Sequence, residues 1–148
     1  MNVDARSALI HVVCPHCHST NRVVETRSVQ ARCGDCSGAL FEGRPAAVDA
    51  AAFGRHLARS DLPVVVDFWA PWCAPCRTMT TVFETVAQEL EPHYRFVKVN
   101  TDEEGGLATR HRIRAIPTFA IFRNGNEVVR TAGAMDAARL IAWVRANA

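Results

Sequence analysis

The chain has 148 residues, 49% of them hydrophobic and 22% charged, and carries a formal net charge of +2 at pH 7. That length holds one ordinary domain or a compact domain with a small appendage, and the apolar share suffices for a real core. A near-neutral balance with no basic block gives no electrostatic case for nucleic acid or an anionic membrane.

The N-terminal stretch Met1 to Arg6 lacks the basic region and long apolar core of a secretion signal, and no segment approaches bilayer-spanning length. A cytoplasmic location is therefore expected. In such a reducing compartment, six cysteines in three Cys-x-x-Cys pairs point to metal and redox chemistry rather than to structural disulfides.

A short apolar run, Ala8 to Val13, leads into Cys14-Pro15-His16-Cys17, and fifteen residues later comes Cys33-Gly34-Asp35-Cys36. The spacing lies in the range of a four-cysteine zinc site, each pair forming a tight knuckle with turn residues such as Gly34 and Gly38 beside it. Two disulfides or unliganded thiols are the competing readings. Asn21–Val24 and Val29–Arg32 read as short strands of a zinc ribbon, a unit too small to hold an apolar core unaided. One structural zinc per chain, on Cys14, Cys17, Cys33 and Cys36, would supply the missing stability, with His16 and His18 as non-ligands because four cysteines complete the tetrahedron.

Glu42-Gly43-Arg44-Pro45 reads as a hinge, which divides the chain into a ribbon over residues 1–44 and a second unit over 45–148. Val48 is a short first strand. Asp49 caps a helix from Ala50 to Arg59 with Phe53 and Leu57 facing inward. Val64 to Phe68 alternates as a strand buried on both faces, broken only by Asp67, with Trp69 after it as a core aromatic. Past Pro71, the run from Cys73 to Leu90 has helical spacing, striped by Met79, Val82, Phe83, Val86 and Leu90. Arg95–Asn100 is a strand, Gly106–Arg112 a short helix, and Thr118–Phe122 a strand. Asn124-Gly125 marks a type I′ hairpin turn into Glu127–Thr131. Asp136 then caps a last helix carrying Leu140, Ile141, Trp143 and Val144.

Cys73 thus sits where a strand hands over to a helix, and the free N–H groups and partial positive charge there favour its thiolate. Cys76, one turn further in, is placed to attack a mixed disulfide formed on Cys73, and Pro75 is tolerated in a first helical turn. Asp67, a carboxylate in a doubly buried strand, should have a raised pKa, unless it is a partly wet structural residue.

Strand, buried aspartate, Trp72-Cys73-Ala74-Pro75-Cys76 and helix together resemble the thioredoxin family, and the four-cysteine unit resembles its bacterial thioredoxin 2 subgroup. The resemblance implies a thioredoxin fold, an α/β arrangement with a central mixed sheet flanked by helices. It implies a protein-disulfide reductase in which Asp67 exchanges a proton with Cys76 and Lys98 lies near that aspartate. Trp72, Ala74, Pro75, Ile116, Pro117 and Gly133 would form the substrate surface, with Pro117 cis. A trans proline opening a strand, a strand-breaking Gly133 and an exposed lysine stem at position 98 are the plainer alternatives. Ala74 departs from the glycine usual in the subgroup.

The partners implied are disulfide-containing proteins and thioredoxin reductase, with no organic cofactor and a monomeric chain. A disulfide isomerase or oxidase would favour a histidine between the cysteines and an export signal. A zinc-dependent redox-regulated chaperone or binding module is the alternative of a different class.

Overall fold

The computed structural model describes residues 8–148; the expectation about a secretion signal at residues 1–6 lies outside them. A small antiparallel hairpin comes first, β1 (Leu9–Val13) against β2 (Thr20–Val24), with Val12 facing Asn21. The strand expected over Val29–Arg32 does not form. Glu25–Gln30 is instead a 3-10 helix, and Arg32 makes only an isolated bridge to Ala39. The Ser28 hydroxyl donates to the Glu25 carbonyl, giving the backbone a local alternative to a ladder, and Val29 is left exposed.

The remaining elements are β3 (Ala46–Ala47), α1 (Ala50–Arg59), β4 (Val64–Trp69), α2 (Ala74–Leu90), β5 (Arg95–Asn100), α3 (Gly105–Arg110), β6 (Thr118–Arg123), β7 (Asn126–Ala132) and α4 (Ala137–Asn147). The first strand stands just before Val48, whose N–H still bonds to the Lys98 carbonyl at 3.0 Å. Five strands form one mixed sheet in the order β3-β5-β4-β6-β7, with β3, β5 and β4 parallel and β6 and β7 antiparallel. The hairpin turn has Asn124 at φ 53° and Gly125 at φ 82°, the two positive angles that Asn-Gly predicts.

Each face of the sheet has its own core. Val64, Val66 and Phe68 of β4 point into one, with Phe53 of α1 and Leu107 of α3. Val65 points into the other, with Met79 and Phe83 of α2 and Leu140 and Val144 of α4. This strict alternation, with both faces covered, makes β4 the central strand. Asp49 and Asp136 cap α1 and α4 as their positions predict, accepting the N–H of Ala52 and of Arg139, each at 2.8 Å. No helix among the described residues is long and apolar enough to cross a membrane.

The N-terminal unit packs onto the beginning of β4 and β5. Val12, Cys14, Val23, Cys33, Leu40 and Phe41 form a small cluster completed by Leu62, from the loop before β4. His11 N–H donates to the Asp61 carboxylate at 2.6 Å, and Asp61 N–H returns a bond to the His11 carbonyl at 3.0 Å. Among the described residues the largest fully buried side chain is Arg95, 1% exposed, whose Nη2 donates to the carbonyls of Val13 at 3.1 Å and Leu40 at 2.7 Å. Its guanidinium lies 4.6 Å above the Phe41 ring and 3.8 Å from Glu91, which itself accepts the Gly43 N–H.

Candidate redox and metal sites

Cys73 and Cys76 form a disulfide with Cα atoms 5.2 Å apart. Cys73 is the N-cap of α2, in extended backbone, and its Sγ accepts the Cys76 N–H at 3.2 Å. One of the orphan N–H groups of the helix start is thereby aimed at the Cys73 sulfur, where it stabilises negative charge. Ala74 and Pro75 occupy the first helical turn and are exposed, whereas Cys73 is 5% and Cys76 1% exposed. The pair packs with Ala70, Trp69 and Ile116, and Cys73 Sγ lies 3.8 Å from the Ile116 carbonyl oxygen.

The Ile116–Pro117 peptide is cis, and the Pro117 carbonyl accepts the Gly133 N–H at 2.9 Å. Gly133 sits at φ +100° with open space where a Cβ would stand, so backbone conformation, not room, favours glycine there. Trp72 is exposed, its indole Nε1 donating to Asp102 at 3.1 Å. Trp69 differs from the core placement expected of it. It is half-buried, with Lys98 Nζ 4.6 Å above its ring.

Asp67 is 1% exposed and pairs in register with Lys98 on β5. Among the described residues its Oδ1 has no hydrogen-bond partner. Burial pushes the carboxyl from an ordinary 3.8 up to about 7, while the charge on Lys98 pulls the other way.

The chain matches the thioredoxin family model over residues 44–146. It belongs to the thioredoxin family. Thioredoxin C-3 of Corynebacterium nephridii is 35% identical over 134 residues, covering 90% of this chain and 92% of that one, so the likeness extends well into the residues before 44. Thioredoxin 1 of Synechococcus elongatus is 46% identical over 90 residues, covering 61% of this chain and 84% of that one. Among solved structures, a mutant thioredoxin from Halobacterium salinarum superposes with a TM-score of 0.66 at 27% identity, covering 74% of this chain and 96% of that one. Chloroplastic thioredoxin z superposes with a TM-score of 0.64 at 28% identity, covering 70% and 93%. The fold is the thioredoxin fold, and the chain is a thiol-disulfide oxidoreductase.

The second cysteine group lies in the appended unit. The Sγ atoms of Cys14, Cys17, Cys33 and Cys36 all fall within 4.8 Å of one another, an arrangement able to hold a metal ion. Cys14 and Cys36 approach to 3.6 Å, Cys17 and Cys33 to 3.5 Å. Backbone N–H groups of His16 and Cys17 point at Cys14 Sγ, that of Asp35 at Cys33 Sγ and that of Gly38 at Cys36 Sγ. Asn21 adds a side-chain donor, its Nδ2 lying 3.4 Å from Cys33 Sγ while its Oδ1 accepts the Gly34 N–H. Neither histidine joins the cluster: His16 contacts Glu42, and His18 Nδ1 lies 3.4 Å from His56 Nε2.

Residue spacing pointed to the cysteines, but Arg95, Glu91, His56 and Asp102 carried no such signal. An arginine opening a strand reads as solvated, yet here appended chain covers it. Asp102 was invisible because its partner, Trp72, lies thirty residues away.

Proposed function

We propose that this chain is a general protein-disulfide reductase of the zinc-containing thioredoxin 2 type. One observation carries the reading: the Cys73 sulfur caps a helix, accepts the Cys76 N–H, and faces the Ile116 carbonyl beside an exposed tryptophan. In the dithiol form, the Cys73 thiolate attacks a substrate disulfide, forming a mixed disulfide and releasing one substrate thiolate. Cys76, having lost its proton, then attacks Cys73 Sγ and releases the second substrate thiolate. The chain is left with the Cys73–Cys76 disulfide and two electrons reside on the substrate. Asp67 is our acceptor for the Cys76 proton, because a buried carboxyl titrating near neutrality can take and return one. Lys98 biases that titration. Trp72, Ala74, Pro75, Ile116, Pro117 and Gly133 form the surface that receives the substrate strand. Thioredoxin reductase restores the dithiol, and the chain works as a cytoplasmic monomer.

We read residues 1–44 and 45–148 as a zinc ribbon and a redox unit, a division supported by the extent of the family match. A tetrahedral zinc with bonds of about 2.3 Å places its sulfurs roughly 3.8 Å apart, close to the separations found, and thiolate is the donor such a metal favours. When bound, the ion holds the two knuckles together and supplies folding free energy; it takes no part in the thiol exchange. Catalytic reduction of insulin with thioredoxin reductase tests the function. Turnover well above that of free dithiol is expected, and its absence favours a chaperone or binding role.

A further inference from the structure

Beside the disulfide runs a groove of about 300 Å³ lined by Trp72, Thr101, Ala108, Ile113, Arg114 and Ile116. Two of these residues adjoin the reacting sulfur, for Trp72 precedes Cys73 and the Ile116 carbonyl lies 3.8 Å from its Sγ. The groove is thus placed to receive residues next to a disulfide presented to Cys73. The polar side-chain groups of its lining are the Trp72 indole N–H, the Thr101 hydroxyl and the Arg114 guanidinium. The Thr101 hydroxyl is already spent on the Trp69 carbonyl at 3.0 Å, but the exposed Arg114 guanidinium has no hydrogen bond or ion pair among the described residues.

The carboxylates of this region are hydrogen-bonded to neutral groups other than Arg114. Asp102 holds the Trp72 indole, Glu103 accepts from Asn100 Nδ2 at 3.2 Å, and Glu104 accepts the Ala50 N–H at 2.6 Å. Two other arginines, Arg77 and Arg130, differ from Arg114 in having partners. Arg77 donates to the Pro71 carbonyl at 2.9 Å, and Arg130 is forked onto Glu127 and the carbonyls of His111 and Arg112. These acids keep their negative charge, since a neutral N–H donor does not cancel it, but none of them is hydrogen-bonded to Arg114, whose guanidinium lines the groove without a partner among the described residues.

We propose that Arg114 is a specificity-determining residue of the disulfide exchange, pairing with a carboxylate close to the substrate cysteine and disfavouring cationic flanks. The inference rests on the reductase reading above and deepens it. Arg114 does not take part in bond making; it changes how long, and in which register, an acidic strand stays over Cys73. Guanidinium and carboxylate pair in a fork, which suits orientation as well as attraction.

The test uses the full-length, metal-loaded, dithiol protein in single turnover with disulfide-linked homodimers of a short peptide whose one cysteine is flanked by Glu, Gln or Lys. For an exposed ion pair, the Glu peptide should gain about two- to fivefold in second-order rate constant over the Gln peptide, and the Lys peptide should fall below it. Arg114→Gln should bring the Glu and Lys rates toward each other, and Arg114→Glu should invert the order. Arg145→Gln, an equal loss of charge on α4, should preserve the native order, and about 0.5 M salt should erase most of it. An unaltered Glu-to-Lys ratio in Arg114→Gln, or an equal fall in both Gln variants, overturns the proposal while leaving the reductase reading intact. Failure of the native protein to reduce any of the three peptides overturns both.

Discussion

Arg95 donates at 2.7 Å to the carbonyl of Leu40, a residue fifty-five positions earlier in the chain, and thereby ties the N-terminal unit to the start of a central strand. The arginine is 1% exposed and burial lowers its pKa, with Glu91 opposing that shift. Its neighbour Glu91 is pushed up to about 7 by burial, with Arg95 pulling it down. Removing one partner of such a pair strands the other. Arg95→Met should cost about 3–5 kcal/mol of stability, read by urea unfolding, and adding Glu91→Gln should recover part of it because the stranded group then carries no charge.

Cys73 and Cys76 should divide the work unequally. With the Cys73 sulfur at the helix cap, Cys76→Ser should accumulate stable mixed disulfides with substrate proteins, while Cys73→Ser should accumulate few. Mass spectrometry after a pulse of disulfide substrate counts the adducts. Faster alkylation at Cys76 than at Cys73 at neutral pH would reverse the assignment.

Asp67 links pH to stability with a definite sign. Its carboxyl titrates near 3.8 when unfolded but near 7 when folded, so between these values the native state holds a proton that the unfolded state has lost. Stability contributed by this group is therefore present below about pH 4, falls as pH rises to about 7 and is flat above. Asp67→Asn should lack that fall and so gain on the order of 4 kcal/mol relative to the native chain between pH 4 and pH 8, compared by urea titrations at the two values. The same variant should slow the resolving step most near neutral pH while barely changing substrate binding.

The four-cysteine cluster should retain about one zinc per chain by elemental analysis of protein purified without added metal. Cys36→Ser should lower both the metal content and the thermal midpoint. A chain beginning at Arg44 should still reduce small disulfides, since the appended unit meets the fold at the start of β4 and β5 while Cys73 follows the end of β4. Loss of that activity would place the ribbon in the chemistry.

What could be read from residues alone follows a physical division. Alternation through Val64–Phe68, the helical stripe after Cys73, the Asp49 and Asp136 caps and the Asn-Gly turn are local signals, and each names its element. The paired cysteines are legible because metal and redox chemistry both need fixed short spacings. The 3-10 helix at Glu25–Gln30 was hidden because Val29 has strand propensity, yet a Ser28 hydroxyl bond reshapes its backbone. Trp69 reads as core by pattern, but it closes the end of β4, where the sheet gives way to the site, and so remains half-buried. Arg95, Glu91 and His56 draw their burial from contact with a segment far away in sequence, which no local window contains.

The bond from Arg95 to Leu40 also sets an order of events on the ribosome. Val13, both cysteine knuckles and Leu40 are all synthesised before Arg95 exists, and at about 5–20 residues per second the gap of fifty-five residues lasts roughly three to eleven seconds. For the first part of that interval the apolar faces of Val12, Leu40 and Phe41 lack Leu62, and for all of it they lack the guanidinium. A metal ion bound early by the four cysteines would hold the nascent hairpin closed meanwhile, so metal supply during translation should change how much newly made chain reaches the folded state and how much aggregates.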